Sequence, residues 1–127
     1  MSLNRLHYGY RALIYAVLGL LFLSGLLWET GWERGLLMKI HGAAAMATLV
    51  LLGALLARHV PAGWSAGTNR ISGVAVLAAS AWLLITGYAL YYSGSDSLRY
   101  WAGETHFWVG AGVAAVFCLH LKRSLPA

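Results

Sequence analysis

The chain has 127 residues, of which 60% are hydrophobic and only 10% are charged, and its formal net charge is +5. A soluble domain of this length cannot bury so large an apolar share, so the composition excludes an ordinary soluble globular protein and indicates a membrane protein. The positive charge does not indicate nucleic-acid binding, because the arginines and lysines are scattered between apolar runs and form no basic face. The single cysteine, Cys118, excludes an internal disulfide and a Cys-x-x-Cys-His haem attachment site.

Four apolar runs follow one another, each long enough to cross a hydrocarbon layer about 30 Å thick. They cover residues 11–28, 36–58, 71–92 and 104–122. Pro61 predicts that the second helix ends near Val60, because the residue before a proline is disfavoured in a helix. A short interfacial helix, capped by Asp96, is expected in the loop before the fourth run.

The predicted fold is all-α and integral to a membrane: four transmembrane helices in an up-down-up-down bundle that forms one domain over residues 1–127. None of the runs alternates polar and apolar residues, so strands are not expected. No convincing internal repeat is evident. The basic residues are concentrated on the side of the two termini, and the positive-inside rule therefore predicts that both termini are cytoplasmic.

Four of the five histidines lie on the second and fourth predicted helices. His41 and His59 are 18 residues apart, and His106 and His120 are 14 residues apart. Each pair shares one helix face, with a rise of roughly 27 Å for the first pair and roughly 21 Å for the second. Because these two helices are predicted to be parallel, we expect His41 to meet His106 near the outer face of the membrane. His59 and His120 are expected to meet near the inner face.

Paired imidazoles at two depths are typical of bis-histidine ligation of haem iron, in which two helices supply one ligand each. The unequal spacings leave the inner pair open, because either His59 or His7 can partner His120. Zinc is disfavoured, since it prefers four ligands at one point. The competing interpretation, interfacial histidines that hydrogen-bond near lipid headgroups, suits His7 and His59 better than His41 and His106.

Basic residues near the helix ends are candidate contacts for haem propionates. Arg58 and Arg70 lie on the predicted inner side, and Lys39 and Arg99 lie on the outer side. Each of them taken alone is better explained as a charge that sets the topology.

Aromatic and small residues supply weaker candidates. Tyr91, Tyr92 and Trp101 are placed to border a quinone pocket near the outer face, although an interfacial aromatic belt explains them better. Gly73 and Gly87 are 14 residues apart, like the fourth-helix histidines, and close helix packing is favoured for them over contact with a haem edge. Three hydroxyl residues inside the runs are interpreted as ordinary hydrogen-bonding groups of membrane helices: Ser24, Ser80 and Thr86.

Two motifs resemble the bacterial membrane cytochromes b, which include the cytochrome b subunits of hydrogenases and formate dehydrogenases and small four-helix dihaem cytochromes. The segment Arg5-Leu6-His7-Tyr8 is similar to their Arg-x-x-His-Trp opening, with one residue fewer after the arginine. The stretch from His106 through Gly110 to His120 is similar to their His-x-x-x-Gly…His helix. The resemblance implies two non-covalent b-type haems and electron transfer across a bacterial inner membrane, often to or from quinone. The 18-residue histidine pair of the second helix departs from this pattern.

We therefore expect a dihaem b-type cytochrome that carries electrons between a quinone or redox partner and a second redox partner. Its outer haem is expected on His41 and His106, and its inner haem on His59 and His120, with His7 as the alternative to His59. Two other functions are left open: a haem-free structural or assembly subunit, and a small oxidoreductase that passes electrons, for example, from superoxide to quinone. The expected surroundings are the lipid bilayer, with a larger complex or a homo-oligomer as possible assemblies.

Overall fold

The structure, a computed structural model, describes the backbone of residues 3–67 and 69–124 and the side chains of residues 8–67 and 69–122. This part of the chain forms four helices and no strand, which confirms the predicted all-α class. The helices are α1 (Leu3–Glu29), α2 (Arg34–Ala66), α3 (Arg70–Tyr92) and α4 (Asp96–Ser124). All four are long and apolar enough to cross a membrane. The chain divides into two compact units, Met1–His59 and Val60–Ala127.

Large apolar side chains are exposed on the helices. The exposed fraction is 76% for Val50, 84% for Ile71, 64% for Ile85 and 68% for Trp108. Apolar area in water costs about 25 cal/mol per Å². Such a surface is typical of helices that contact lipid, as the composition predicts.

The second helix continues through Pro61 to Ala66, so the predicted end near Val60 is wrong. A proline inside a helix leaves the carbonyl four residues earlier without its N–H donor, at a cost of about 3 kcal/mol in an ordinary helix interior. The helix resumes after it, and the hydroxyl of Ser65 donates to the carbonyl of Pro61 at 3.0 Å. The actual end comes at Gly67, whose φ of +73° is incompatible with a right-handed helix.

The fourth helix begins at Asp96, and the predicted separate interfacial helix is simply its first turns. The capping group is Ser95, because its hydroxyl accepts the backbone N–H of Leu98 at 3.3 Å. The predicted cap at Asp96 is therefore wrong by one residue. Asp96 lies in the first turn instead, where a carboxylate is favourable beside the positive end of the helix dipole.

The turns before α2 and α3 share one construction, although no repeat was expected. Residues 28–34 read WETGWER and residues 64–70 read WSAGTNR, a common pattern of Trp-x-x-Gly-x-x-Arg. In both turns the glycine and the residue before the arginine have positive φ, +77° and +39° in the first and +73° and +57° in the second. The arginine Nε donates to the tryptophan carbonyl, at 3.4 and 3.1 Å. Its guanidinium lies 5.7 and 5.0 Å from the centre of the same indole ring.

Within the second unit, α3 and α4 pack against each other as antiparallel neighbours. A methyl group on Gly110 would lie 3.7 Å from Cδ2 of Leu83, and one on Gly103 would lie 3.7 Å from Cδ2 of Leu90. A step of seven residues forward on α4 thus corresponds to a step of seven residues back on α3. This register places the side chains of the candidate site.

The shared turn predicts opposite effects for two neighbouring glycines. Gly67→Ala should lower the free energy of unfolding by about 1 kcal/mol, because alanine disfavours the positive φ of this turn. The matched control, Gly63→Ala, should raise it by about 0.5–1 kcal/mol, since Gly63 lies inside α2 and an added Cβ would meet no atom of another element within 4 Å. Circular dichroism during denaturant titration of the detergent-solubilised protein measures both. Equal effects of one sign would contradict the assigned end of α2.

Candidate functional site

Three buried hydroxyl side chains define the candidate site. Ser24, Ser72 and Thr86 are the buried polar residues of the described part of the chain, with exposed fractions of 3%, 7% and 4%. Buried polar groups in proteins almost always have hydrogen-bond partners, because burying an unsatisfied one costs about 1–3 kcal/mol. Each of these three hydroxyls contacts a histidine on a neighbouring helix of the same unit.

In the first unit, the contact joins α1 to α2. Ser24 Oγ lies 2.8 Å from Nδ1 of His41. The two residues flank the turn at residues 28–34, so a short antiparallel connection brings them together. His41 is half-buried, with its imidazole against α1.

In the second unit, two such contacts join α3 to α4. Thr86 Oγ1 lies 2.8 Å from Nδ1 of His106, and Ser72 Oγ lies 3.0 Å from Nδ1 of His120. The hydroxyl residues are 14 positions apart on α3, and the histidines are 14 positions apart on α4. Fourteen residues are close to four helical turns, so the antiparallel register that places one pair also places the other.

A glycine follows each of the three hydroxyl residues and lies beneath the imidazole ring. A methyl group built on the glycine would lie 3.5–3.7 Å from Cε1 of the histidine that its neighbour holds. The glycines are Gly25 under His41, Gly73 under His120 and Gly87 under His106. We call each set of hydroxyl residue, following glycine and histidine a histidine cradle. The 14-residue spacing of Gly73 and Gly87 is thereby explained, because these glycines pack against imidazoles of α4.

The cradles also favour one tautomer of the imidazole ring. Each hydroxyl also lies within donating distance of a backbone carbonyl: 2.7 Å for Ser24 and 2.8 Å for Thr86 within their own helices, and 3.1 Å for Ser72 to Asn69, the cap residue of α3. With its proton on that carbonyl, the hydroxyl oxygen can accept a hydrogen bond from a ring protonated at Nδ1. A neutral ring protonated at Nδ1 has its lone pair on Nε2, which is the tautomer that binds a metal through Nε2.

The other predicted ligands lie outside the cradles. His59 is exposed on α2, and the side chain of His7 is outside the described residues. Fourteen residues before Ser24, α1 carries Tyr10, whose hydroxyl donates to the carbonyl of Leu51 at 3.2 Å and holds no histidine. Within residues 8–67 and 69–122, no group of three or more His, Cys, Asp or Glu side chains is arranged to hold a metal ion.

The predicted propionate contacts differ in their surroundings. The guanidinium of Arg70 donates to the carbonyl of Trp64 at 2.7 and 3.1 Å and stacks on its indole, so it acts as a cap for the end of α2. Arg58, Lys39 and Arg99 are exposed. Their propionate role stays a prediction.

The aromatic candidates lie at the ends of α3 and α4 that face the connecting loop. Tyr91, Tyr92 and Trp101 are 59%, 73% and 62% exposed. The ring centres of Tyr88 and Tyr92 are 4.6 Å apart. Exposed rings at a helix end are typical of an interfacial aromatic belt, and the quinone pocket stays a prediction.

Comparisons of the chain with protein families, with characterised proteins and with solved structures found no match. The likeness to the membrane cytochromes b therefore depends on the two sequence motifs described above.

The cradle at Gly87 predicts a graded response to side-chain size. Gly87→Ala should be tolerated, because its methyl group would only touch His106 at 3.5 Å. Gly87→Leu should displace the imidazole from Thr86 and lower the free energy of unfolding by about 1–3 kcal/mol. The control is Gly112→Leu on α4, where no atom lies within 4 Å of the added Cβ. Denaturant titration in detergent measures all three, and equal losses for the two leucine variants would contradict the cradle.

Proposed function

We propose that this chain is a dihaem b-type cytochrome that carries electrons across a membrane. The observation that supports it best is the set of three half-buried histidines whose Nδ1 atoms are bound by buried hydroxyls. This arrangement favours the tautomer whose Nε2 lone pair can bind a metal. A haem bound there supplies a one-electron iron couple, and the protein supplies the axial ligands and an apolar pocket.

The spacing along α4 supports two haems rather than one. His106 and His120 are 14 residues apart, which is roughly 21 Å along a helix, so they cannot ligate the same iron. Each needs a second histidine. His41 is proposed as the partner of His106, because it is the third cradled histidine. His59 or His7 is proposed as the partner of His120.

The proposed location is a bacterial inner membrane, with both termini in the cytoplasm. It is supported by the four apolar helices and by the arginine distribution, together with the cytochrome b resemblance. Arg58, Lys39 and Arg99 are proposed propionate contacts, whereas Arg70 is less suited because its guanidinium is engaged at the end of α2. A quinone or a second redox protein is the proposed electron partner.

One structural observation favours a second candidate, a haem-free packing or assembly subunit. The same hydroxyl–imidazole hydrogen bonds join α1 to α2 and α3 to α4, and interhelical hydrogen bonds of this kind stabilise membrane helices by about 1 kcal/mol or less each. In that case the histidines serve only to hold the helix pairs together.

Absorbance spectroscopy separates the two candidates. The protein purified from membranes should show the reduced-minus-oxidised spectrum of low-spin b haem, with two haems per chain. His106→Ala and His41→Ala should each convert the same haem to a high-spin form or remove it, because low-spin iron needs both axial imidazoles. His120→Ala should affect the other haem only. Ser80→Ala is a control, since the Ser80 hydroxyl donates to a carbonyl of its own helix.

Two outcomes would contradict this proposal. A colourless protein from haem-replete cells, with no haem extractable into acidic acetone, would support the packing subunit instead. Full haem content in all the histidine variants would remove the proposed ligands. The same series identifies the inner partner, because the matching variant, His59→Ala or His7→Ala, should reproduce the spectrum of His120→Ala.

The proposed topology has its own test. A reporter fused to the C-terminus should be active on the cytoplasmic side, and a reporter inserted at Gly94, between α3 and α4, should be active on the periplasmic side. The expected cause is the excess of arginine and lysine on the side of the termini. Alkaline phosphatase is active only in the periplasm, and green fluorescent protein fluoresces only in the cytoplasm. Fusing each reporter at both positions therefore gives opposite signals and shows that every fusion is expressed. The reverse pattern would exchange the inner and outer assignments of the histidines.

A further inference from the structure

The three hydroxyls have a chemical consequence beyond holding the rings in place. A histidine that donates its Nδ1–H to an oxygen becomes a more basic ligand through Nε2. A more basic ligand stabilises ferric iron more than ferrous iron, because the ferric ion carries the larger positive charge. The reduction potential of the iron therefore falls when the hydrogen bond is present.

We propose that Ser24, Ser72 and Thr86 are positioning residues that lower the reduction potentials of the haems ligated by His41, His120 and His106. This inference rests on the proposed function. It follows from the short contacts between the hydroxyls and the Nδ1 atoms, 2.8, 3.0 and 2.8 Å, and from the burial of all three hydroxyls. In an apolar interior such a bond is stronger than in water, so its effect on the ligand is not screened.

The separation of His106 and His120 along α4 places their two hydroxyl partners at separate haems. Because His106 and His120 cannot share an iron, Thr86 should act on one potential and Ser72 on the other. Ser24 should act on the haem that contains His41. Helix α3 thus acts on both haems without supplying a ligand to either.

The test is a potentiometric titration of both haems in the purified, haem-loaded protein. Thr86→Val removes the hydroxyl but keeps the branched shape, and it should raise the midpoint potential of one haem. The expected size is at most about a tenfold change in the ferric-to-ferrous ratio at a fixed potential, which is 59 mV for one electron. Ser72→Ala should raise the potential of the other haem by a similar or smaller amount.

Three variants control for a merely structural effect. Thr86→Ser keeps the hydroxyl and should restore the wild-type potential. Ser80→Ala on α3 and Thr48→Val on α2 remove hydroxyls that donate to carbonyls of their own helices and should leave both potentials unchanged. The g-values of the ferric haems in electron paramagnetic resonance provide a second readout, since a ring that is no longer held by a hydroxyl is expected to rotate.

The outcomes are distinct. Haem that is retained with unchanged or lowered potentials in Thr86→Val and Ser72→Ala would overturn this inference but leave the cytochrome assignment intact. A shift of the same haem by both variants would also overturn it. If Thr86→Val fails to bind haem, the midpoint potentials of Ser24→Ala and Ser72→Ala provide the test instead. Loss of haem in all three variants would show that the hydroxyls are only structural. A wild-type protein without haem would instead remove the proposed function itself.

Discussion

The hydrogen bond between a buried hydroxyl and an imidazole Nδ1 is the interaction on which the proposed site depends. A polar ring among apolar helices must have a partner, because an unsatisfied buried group costs about 1–3 kcal/mol. Ser24, Ser72 and Thr86 meet this need from the neighbouring helix of the same unit. Each hydroxyl also bonds to a backbone carbonyl of its own helix or of its cap residue, so one small side chain joins two helices and favours one tautomer of the histidine.

The turns between helices support this arrangement through geometry. One residue of a helix corresponds to a rotation of about 100° and a rise of about 1.5 Å, so a shift of one residue would move a histidine away from its hydroxyl. The tryptophan–arginine turn at residues 28–34 lies between Ser24 and His41 and fixes where α1 ends and α2 begins. Between Thr86 and His106, the loop at residues 93–95 and its cap at Ser95 do the same for α3 and α4.

The same contacts serve stability and, in the proposed haem site, ligand chemistry. A glycine beneath each imidazole allows the ring to lie against the backbone of the adjacent helix, and the hydroxyl next to that glycine fixes the orientation of the ring. Preorganised ligands of this kind lose little conformational freedom when they bind a metal, which favours tight binding. For this reason the cradles favour the proposed haem site more than three isolated histidines would.

Much of the fold followed from the sequence, because apolar runs of membrane-spanning length leave helices as the favoured structure. The histidines were also accessible to prediction, since ionisable residues inside such runs are rare and His106 and His120 share a helix face. The end of α2 was not predicted correctly. The steric bias at Val60 is a local preference that the continuing helix overrides, and Gly67 sets the end instead.

The amino-acid sequence alone predicts the number, type and approximate extent of the helices, together with the histidines of the proposed site. The tertiary structure alone showed that Ser24, Ser72 and Thr86 hold three of these histidines, although a visible signal existed in the Ser-Gly and Thr-Gly pairs at residues 24–25, 72–73 and 86–87. Such pairs are ambiguous in a sequence, because a serine or threonine in a membrane helix usually bonds only to its own backbone, as Ser80 does. Whether a hydroxyl meets an imidazole depends on the register between two helices, and that register is set by turns and packing that no single helix specifies.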